Sequence, residues 1–181
     1  MTGAVSVTPQ PGDFGLVRSF EGPWYDRLFS RVIDDVTDSD VHHAVLYIGD
    51  TPDGDIIEAV KRVSYGHADA YDDIVWSTDR LPPALTPTDA QRELIVQAAI
   101  DLLDTPYNVV DLLAIGLAQR RMGHVVTGRE RWVKRLSNDH RVICSQAIDL
   151  EYLRAGIHLF SDGRLSGLVA PGDLNSLLLP A

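Results

Sequence analysis

Hydrophobic periodicity changes once along this chain, and that change limits the folds open to it. Up to the proline-containing stretch RLPPALTPTD (80–89), apolar residues fall in short β-type runs; beyond it they recur at helical spacing. FGLVR (14–18) follows the turn residues Pro11-Gly12-Asp13 and reads as a strand. HAVLYI (43–48) is a second strand, closed by the turn residues of GDTPDGD, and DIIEAV (55–60) follows at once, which predicts an antiparallel hairpin. RVSY (62–65) and DIVW (73–76) are weaker strand candidates. In the second half, Thr86-Pro87-Thr88-Asp89 offers a helix start: a hydroxyl cap, proline in the first turn and an acid three residues on. Leu94, Ile95, Ala98, Ala99, Leu102 and Leu103 then repeat at helical spacing. NVVDLLAIGLAQRR (108–121) reads as a second helix, and a third runs from about Cys144 to Ala155, with Gly156 where a left-handed cap is expected. The expectation is an α+β fold in one domain spanning residues 1–181, since the divider is short enough to be an internal loop.

Charge and cysteine content remove several classes of function. Sixteen basic residues against 26 acidic ones leave a formal net charge of −10. Binding to nucleic acid needs cationic side chains that displace counterions, and adhesion to anionic membrane faces needs them too, so neither partner is expected. No apolar run approaches the ~20 residues of a membrane-spanning helix. The opening MTGAVSVTPQPGDFG lacks the basic start and apolar core of a secretory leader, so cytoplasmic synthesis without an export signal of its own is expected. The one cysteine, Cys144, rules out an intrachain disulfide.

That cysteine lies where an extended stretch, RVI (141–143), turns into the helix CSQAIDLEYLRAG. A thiol at a helix N-terminus faces unpaired N–H groups and the positive end of the dipole, which favour thiolate. The same groups suit an oxyanion formed when the sulfur attacks a carbonyl. Against this stands the fact that free cysteine is among the most buried residue types and is usually inert. A nucleophilic thiol needs a base, and His42, His43, His67, His124, His140 and His158 are available. His42 and His43 are adjacent on a predicted strand and point to opposite faces, and alternation does not choose between them. Glu58 interrupts the apolar strand DIIEAV; it either orients an imidazole on the neighbouring strand or simply faces solvent. Rival chemistries find little support: the chain has no HExxH helix, Cys-x-x-Cys pair, Walker-type loop or GxSxG elbow. The acidic cluster DDVTDSD (34–40) lacks EF-hand spacing and reads as a solvated loop, so no metal site is expected.

Six separated strings occur in order: GDFGLV (12–17), HHAVLYIGD (42–50), IIEAV (56–60), TPYNVVDLL (105–113), ICSQAID (143–149) and VAPGDL (169–174). In that order and spacing the chain resembles the YiiX-like, circularly permuted members of the NlpC-type papain-like cysteine hydrolases. In that branch a histidine-bearing strand precedes a cysteine at a helix start. The resemblance implies a small antiparallel sheet, or half-barrel, packed against helices. It assigns the nucleophile to Cys144, the base to His43 and the third member to Glu58, gives His42 no catalytic role, and matches Tyr107 to a tyrosine that helps position substrate. No metal or organic cofactor is implied. The implied activity is cleavage of an amide or ester by a thiol, with a stem-peptide bond of peptidoglycan as first choice. Because the cell wall lies outside the cytoplasm, a phage virion or tail component, with other virion proteins as partners, is the implied setting. The alternatives are a catalytically silent structural or binding module of the same fold, and an intracellular lipid-acyl hydrolase.

Overall fold

The computed structural model describes residues 8–18, 40–106 and 142–180. Five strands form one antiparallel sheet: β1 (Phe14–Val17), β2 (His43–Thr51), β3 (Gly54–Ala59), β4 (Val63–Gly66) and β5 (Ile74–Trp76), in the spatial order β4-β3-β2-β1-β5. Three helices accompany them among the described residues: α1 (Asp89–Asp101), α2 (Cys144–Arg154) and α3 (Pro171–Asn175). The α+β expectation therefore holds. The predicted helix at 108–121, Arg141 and residues 34–39 of the acidic cluster lie outside the described residues.

The predicted hairpin forms, with Val45 opposite Glu58, Leu46 opposite Ile57 and Tyr47 opposite Ile56. β2 runs three residues further than its apolar pattern. Gly49, at φ +87°, absorbs a register shift between Tyr47 and Thr51, a left-handed conformation that glycine adopts without steric cost. Both weaker strand candidates prove to be the sheet's edge strands. In the extended stretch before Cys144, of which residues 142 and 143 are described, the Val142 N–H bonds the Pro106 carbonyl at 3.1 Å and Ile143 serves as the helix N-cap.

Strand alternation divides the core in two. Phe14, Leu16, Ala44, Leu46, Ile57 and Ala59 face the helices and pack with Ile95, Ala99, Ile148 and Tyr152. Val17, Val45 and Ile56 point the other way, beneath Tyr47, Ala68, Tyr71, Ile74 and Trp76. The connection from β4 to β5 joins opposite edges of the sheet, and its Ala68 and Tyr71 pack on residues of β1, β2 and β3. It is a strap across the second face.

Helix boundaries follow local chemistry, with one correction. The cap of α1 is Thr88, not Thr86: Thr88 Oγ1 accepts the Gln91 N–H while Gln91 Oε1 accepts the Thr88 N–H at 3.0 Å. That reciprocal box needs Glu or Gln three residues after the cap, and Thr88 has Gln91 there whereas Thr86 has Asp89. Thr86 instead donates its hydroxyl to the Pro82 carbonyl at 3.2 Å. Ile95, Ala98, Ala99 and Leu102 are buried as expected, whereas Leu94 is 52% exposed, one step off the stripe. α2 ends as predicted. Gly156 takes φ +79°, its N–H bonds the Leu153 carbonyl at 3.0 Å, and the Ile157 N–H bonds the Tyr152 carbonyl at 2.9 Å.

The turn before β1 ties both long helices to the sheet. Asp13, 1% exposed, accepts Arg92 Nη1 of α1 at 2.7 Å, the Thr78 hydroxyl at 2.5 Å and the Gln10 N–H at 2.9 Å. Next to it, the Tyr152 hydroxyl of α2 donates to the Gly12 carbonyl at 2.9 Å. Removing one member of a buried pair strands the other charge away from water. Asp13→Ala is therefore expected to cost about 3–5 kcal/mol of unfolding free energy, read from urea denaturation at neutral pH.

Glu151 of α2 is 1% exposed, and its Oε2 has no hydrogen-bond partner. Burial outweighs the pull of Arg154 and pushes the carboxyl pKa up to about 8. Between the ordinary carboxyl range and pH 8 the folded chain holds a proton that the unfolded chain has released, so this group lowers stability as pH rises through that window. Glu151→Gln is expected to be more stable than wild type at pH 8.5 by roughly 1–3 kcal/mol, with the gap closing by pH 4.5 in urea titrations.

Candidate active site

α2 begins at Cys144, so the sulfur sits in the first helical turn, where backbone N–H groups lack intrahelical acceptors. The helix mixes apolar and polar residues and is buried on most sides, with Ser145, Gln146, Asp149 and Glu151 among the buried side chains. The Ser145 hydroxyl donates to the Val169 carbonyl at 2.7 Å, and the Gln146 side chain accepts the Ile143 N–H at 3.4 Å. Val169 opens the VAPGDL string, and the next residue, Ala170, is capped by Asp173 at 2.8 Å. Two of the separated sequence strings are thus mechanically joined.

His43 begins β2 and shares a face with Val45. Glu58 stands opposite Val45, which places its carboxylate on the diagonal to His43. His43 Nε2 lies 2.9 Å from Glu58 Oε2, and the Cys144 thiol is close enough to the imidazole to raise its pKa. With Nε2 directed at the carboxylate, Nδ1 is the nitrogen left for the sulfur. His43 and Glu58 meet directly, and Cys144 lies near enough to the ring to influence its charge. Glu58 does not face solvent; its side chain is 14% exposed. Of the other described histidines, His67 and His158 are exposed, and His42 donates its backbone N–H to the Val17 carbonyl at 3.0 Å. His124, His140 and Tyr107 lie outside the described residues.

Electrostatics favour a charged pair. Burial pulls the His43 pKa down, but the hydrogen bonds and charges of Cys144 and Glu58 overcome it and raise it to about 10. Burial likewise pushes the Cys144 thiol up, and the imidazolium, helped by the Ala44 and Ser145 backbone N–H groups, brings it below the ordinary value. Glu58 follows the same pattern: burial raises its pKa, while His43 first and the Tyr71 hydroxyl second hold it below the usual carboxylate range. These directions favour a thiolate, an imidazolium and a carboxylate in series, an arrangement suited to attack on an electrophilic carbon followed by proton delivery.

Tyr71 escaped the sequence reading. It lies on the strap, in the polar string HADAYDD (67–73), where no periodicity or motif marks it, and its hydroxyl donates to the same Glu58 Oε2 that meets His43. Its ring centroid is 6.0 Å from that of His43.

The sulfur is 2% exposed. Cavities of about 500 Å³ and 170 Å³ open beside Arg92, the first against Pro11 and Val96 and the second against Asp13 and Thr78. Neither is lined by Cys144, His43 or Glu58. Among the described residues no cluster of three or more His, Cys, Asp or Glu is arranged to hold a metal ion, and no helix is long and apolar enough to cross a membrane. No family model and no curated protein matches this chain.

A paired thiolate keeps its alkylation rate level as pH falls below neutrality, whereas an ordinary thiol loses about tenfold per pH unit. Iodoacetamide labelling of Cys144 is expected to stay level between pH 8 and 6 in the wild type and to fall steeply over that range in His43→Ala. Loss of the imidazolium proton is expected near pH 10 rather than near the ordinary histidine value, read by NMR of the ring nitrogens.

Proposed function

We propose that this chain is a thiol-dependent acyl hydrolase of the permuted NlpC-type, papain-like kind. The observation that carries the reading is the 2.9 Å pairing of His43 Nε2 with Glu58 Oε2, beside a buried Cys144 thiol at a helix start whose proximity raises the pKa of the imidazole. The order of the sequence strings supports it, since the histidine strand precedes the cysteine helix.

In the proposed reaction the Cys144 thiolate attacks the carbonyl carbon of an amide or ester, and a C–S bond forms. Negative charge moves to the carbonyl oxygen, where the Cys144 backbone N–H in the first turn of α2 supplies a donor and the helix dipole adds favourable potential. As the intermediate collapses, the bond to the leaving group breaks and the His43 imidazolium gives that group its proton. Neutral His43 then takes a proton from water, hydroxide attacks the thioester, and the returning thiolate restores the pair. Glu58 holds the ring through Nε2 and stabilises its charged form.

The substrate proposed is a stem-peptide bond of peptidoglycan, met in the setting of a phage virion or tail. The test is mass spectrometry of purified peptidoglycan after digestion: new stem-peptide fragments are expected from the wild type and none from Cys144→Ser. Fragments absent from both, with release of fatty acid from acyl esters, would move the substrate to lipid. Purified particles that lack this subunit would remove the virion setting.

A second reading, a silent module of the same fold, draws on the 2% exposure of the sulfur. It predicts sluggish labelling of Cys144 and no turnover of either substrate.

A further inference from the structure

The Glu58 carboxylate is held by more than the histidine. Its Oε2 receives two donors, the His43 ring nitrogen at 2.9 Å and the Tyr71 hydroxyl. Its Oε1 occupies the space over Gly66: a Cβ built on Gly66 would stand 2.5 Å from Oε1 and 3.2 Å from the carboxyl carbon. Register explains the fit. Glu58 pairs with Ser64 across β3 and β4, and Gly66, two residues on, lies on the same face. Gly66 has no positive φ, so its backbone does not require glycine. The atoms a methyl group would displace belong to the mobile end of a side chain, so alanine there preserves the strand and moves the carboxylate.

We propose that Tyr71 and Gly66 are positioning residues for the Glu58–His43 pair. Tyr71 supplies the second donor to the oxygen that meets the imidazole, and Gly66 supplies the space taken by the other oxygen. The proposal rests on the thiol-hydrolase reading and adds to it the groups that set the charge on its histidine. A carboxylate with one hydrogen bond can swing about its terminal torsion; gripped at Oε2 and seated at Oε1, it stays against Nε2. The phenol also stabilises the ionised carboxyl in a half-buried place, and that fixed charge favours imidazolium. Sharing Oε2 draws some charge from the histidine bond, but a carboxylate that has lost a donor and its seat gives up more than that. Because Tyr71 rides on the strap, packing of the β4–β5 connection sets the site's electrostatics.

The test follows the His43 ring nitrogens by NMR through a pH titration of the full chain, with circular dichroism confirming the fold. Tyr71→Phe and Gly66→Ala are each expected to release the imidazolium proton about one pH unit below wild type, as expected when a stabilising contact to a charged group is lost. In a Glu58→Gln background neither substitution should add a further shift, since both act through that carboxylate. Unchanged titration in both folded variants overturns the proposal; a shift in one alone removes the other residue from it. A shift of full size in the Glu58→Gln background also overturns it, because the effect would then be structural. Should wild-type His43 titrate near the ordinary 6.5 and Cys144 label as an ordinary thiol, the hydrolase reading fails and this proposal with it. An activated wild-type thiol with unmoved variants defeats this proposal alone.

Discussion

An imidazole that is 7% exposed carries its charge only if the surroundings repay its lost hydration, and around His43 the Cys144 and Glu58 side chains raise its pKa against the effect of burial. Removing an ion from water costs several kcal/mol, so each neighbour of that ring is constrained. Glu58 must sit on the adjoining strand at the diagonal position, and the sulfur must arrive from outside the sheet at a helix end. Burial raises the pKa of both, and the shared histidine is the largest influence that lowers them, helped by the Tyr71 hydroxyl at Glu58 and by the Ala44 and Ser145 N–H groups at Cys144. The three groups are therefore one electrostatic unit.

The rest of the fold brings that unit together. The Gly12–Asp13 turn fastens α1 through Arg92 and α2 through Tyr152, while the Phe14 ring meets Tyr152 edge-on at 5.8 Å. These contacts hold the body of α2 against the sheet. Val169, which accepts the Ser145 hydroxyl, holds its N-terminal turn. On the opposite face the strap delivers Tyr71 to Glu58. A site spread over residues 43–144 thus has supports from both sides of one sheet.

Much of this was legible in the chain. Alternating runs marked the hairpin and even the short edge strands, because period-two burial leaves a pattern wherever one face of a strand is covered. Gly156 announced the end of α2 because a left-handed residue there is nearly always glycine. An acid within DIIEAV stood out because an isolated carboxylate among apolar residues demands a partner. Other features left no such mark. Thr86 and Thr88 are both hydroxyl residues beside the same proline, and only the reciprocal bond with Gln91 tells them apart. Tyr71 sits in a polar connection, where position in space follows from how the strap crosses the sheet. The burial of Glu151 reflects a helix enclosed on most sides, so that even a charged position in it lies away from water.

The sequence by itself determined which residue types could do chemistry and the local structure beneath each: a lone thiol opening a helix, a histidine at the head of a strand, an acid on the next strand. Those are local properties, fixed by hydrogen bonding and side-chain periodicity within a few residues. Alternation left His42 and His43 open, and the choice came from the resemblance; only the tertiary structure decided that Glu58 turns inward to the His43 ring and that Tyr71 and Gly66 lie against it. Alternation gives opposite faces without saying which one the helix end will reach, and a carboxylate's partner depends on packing between segments far apart in the chain.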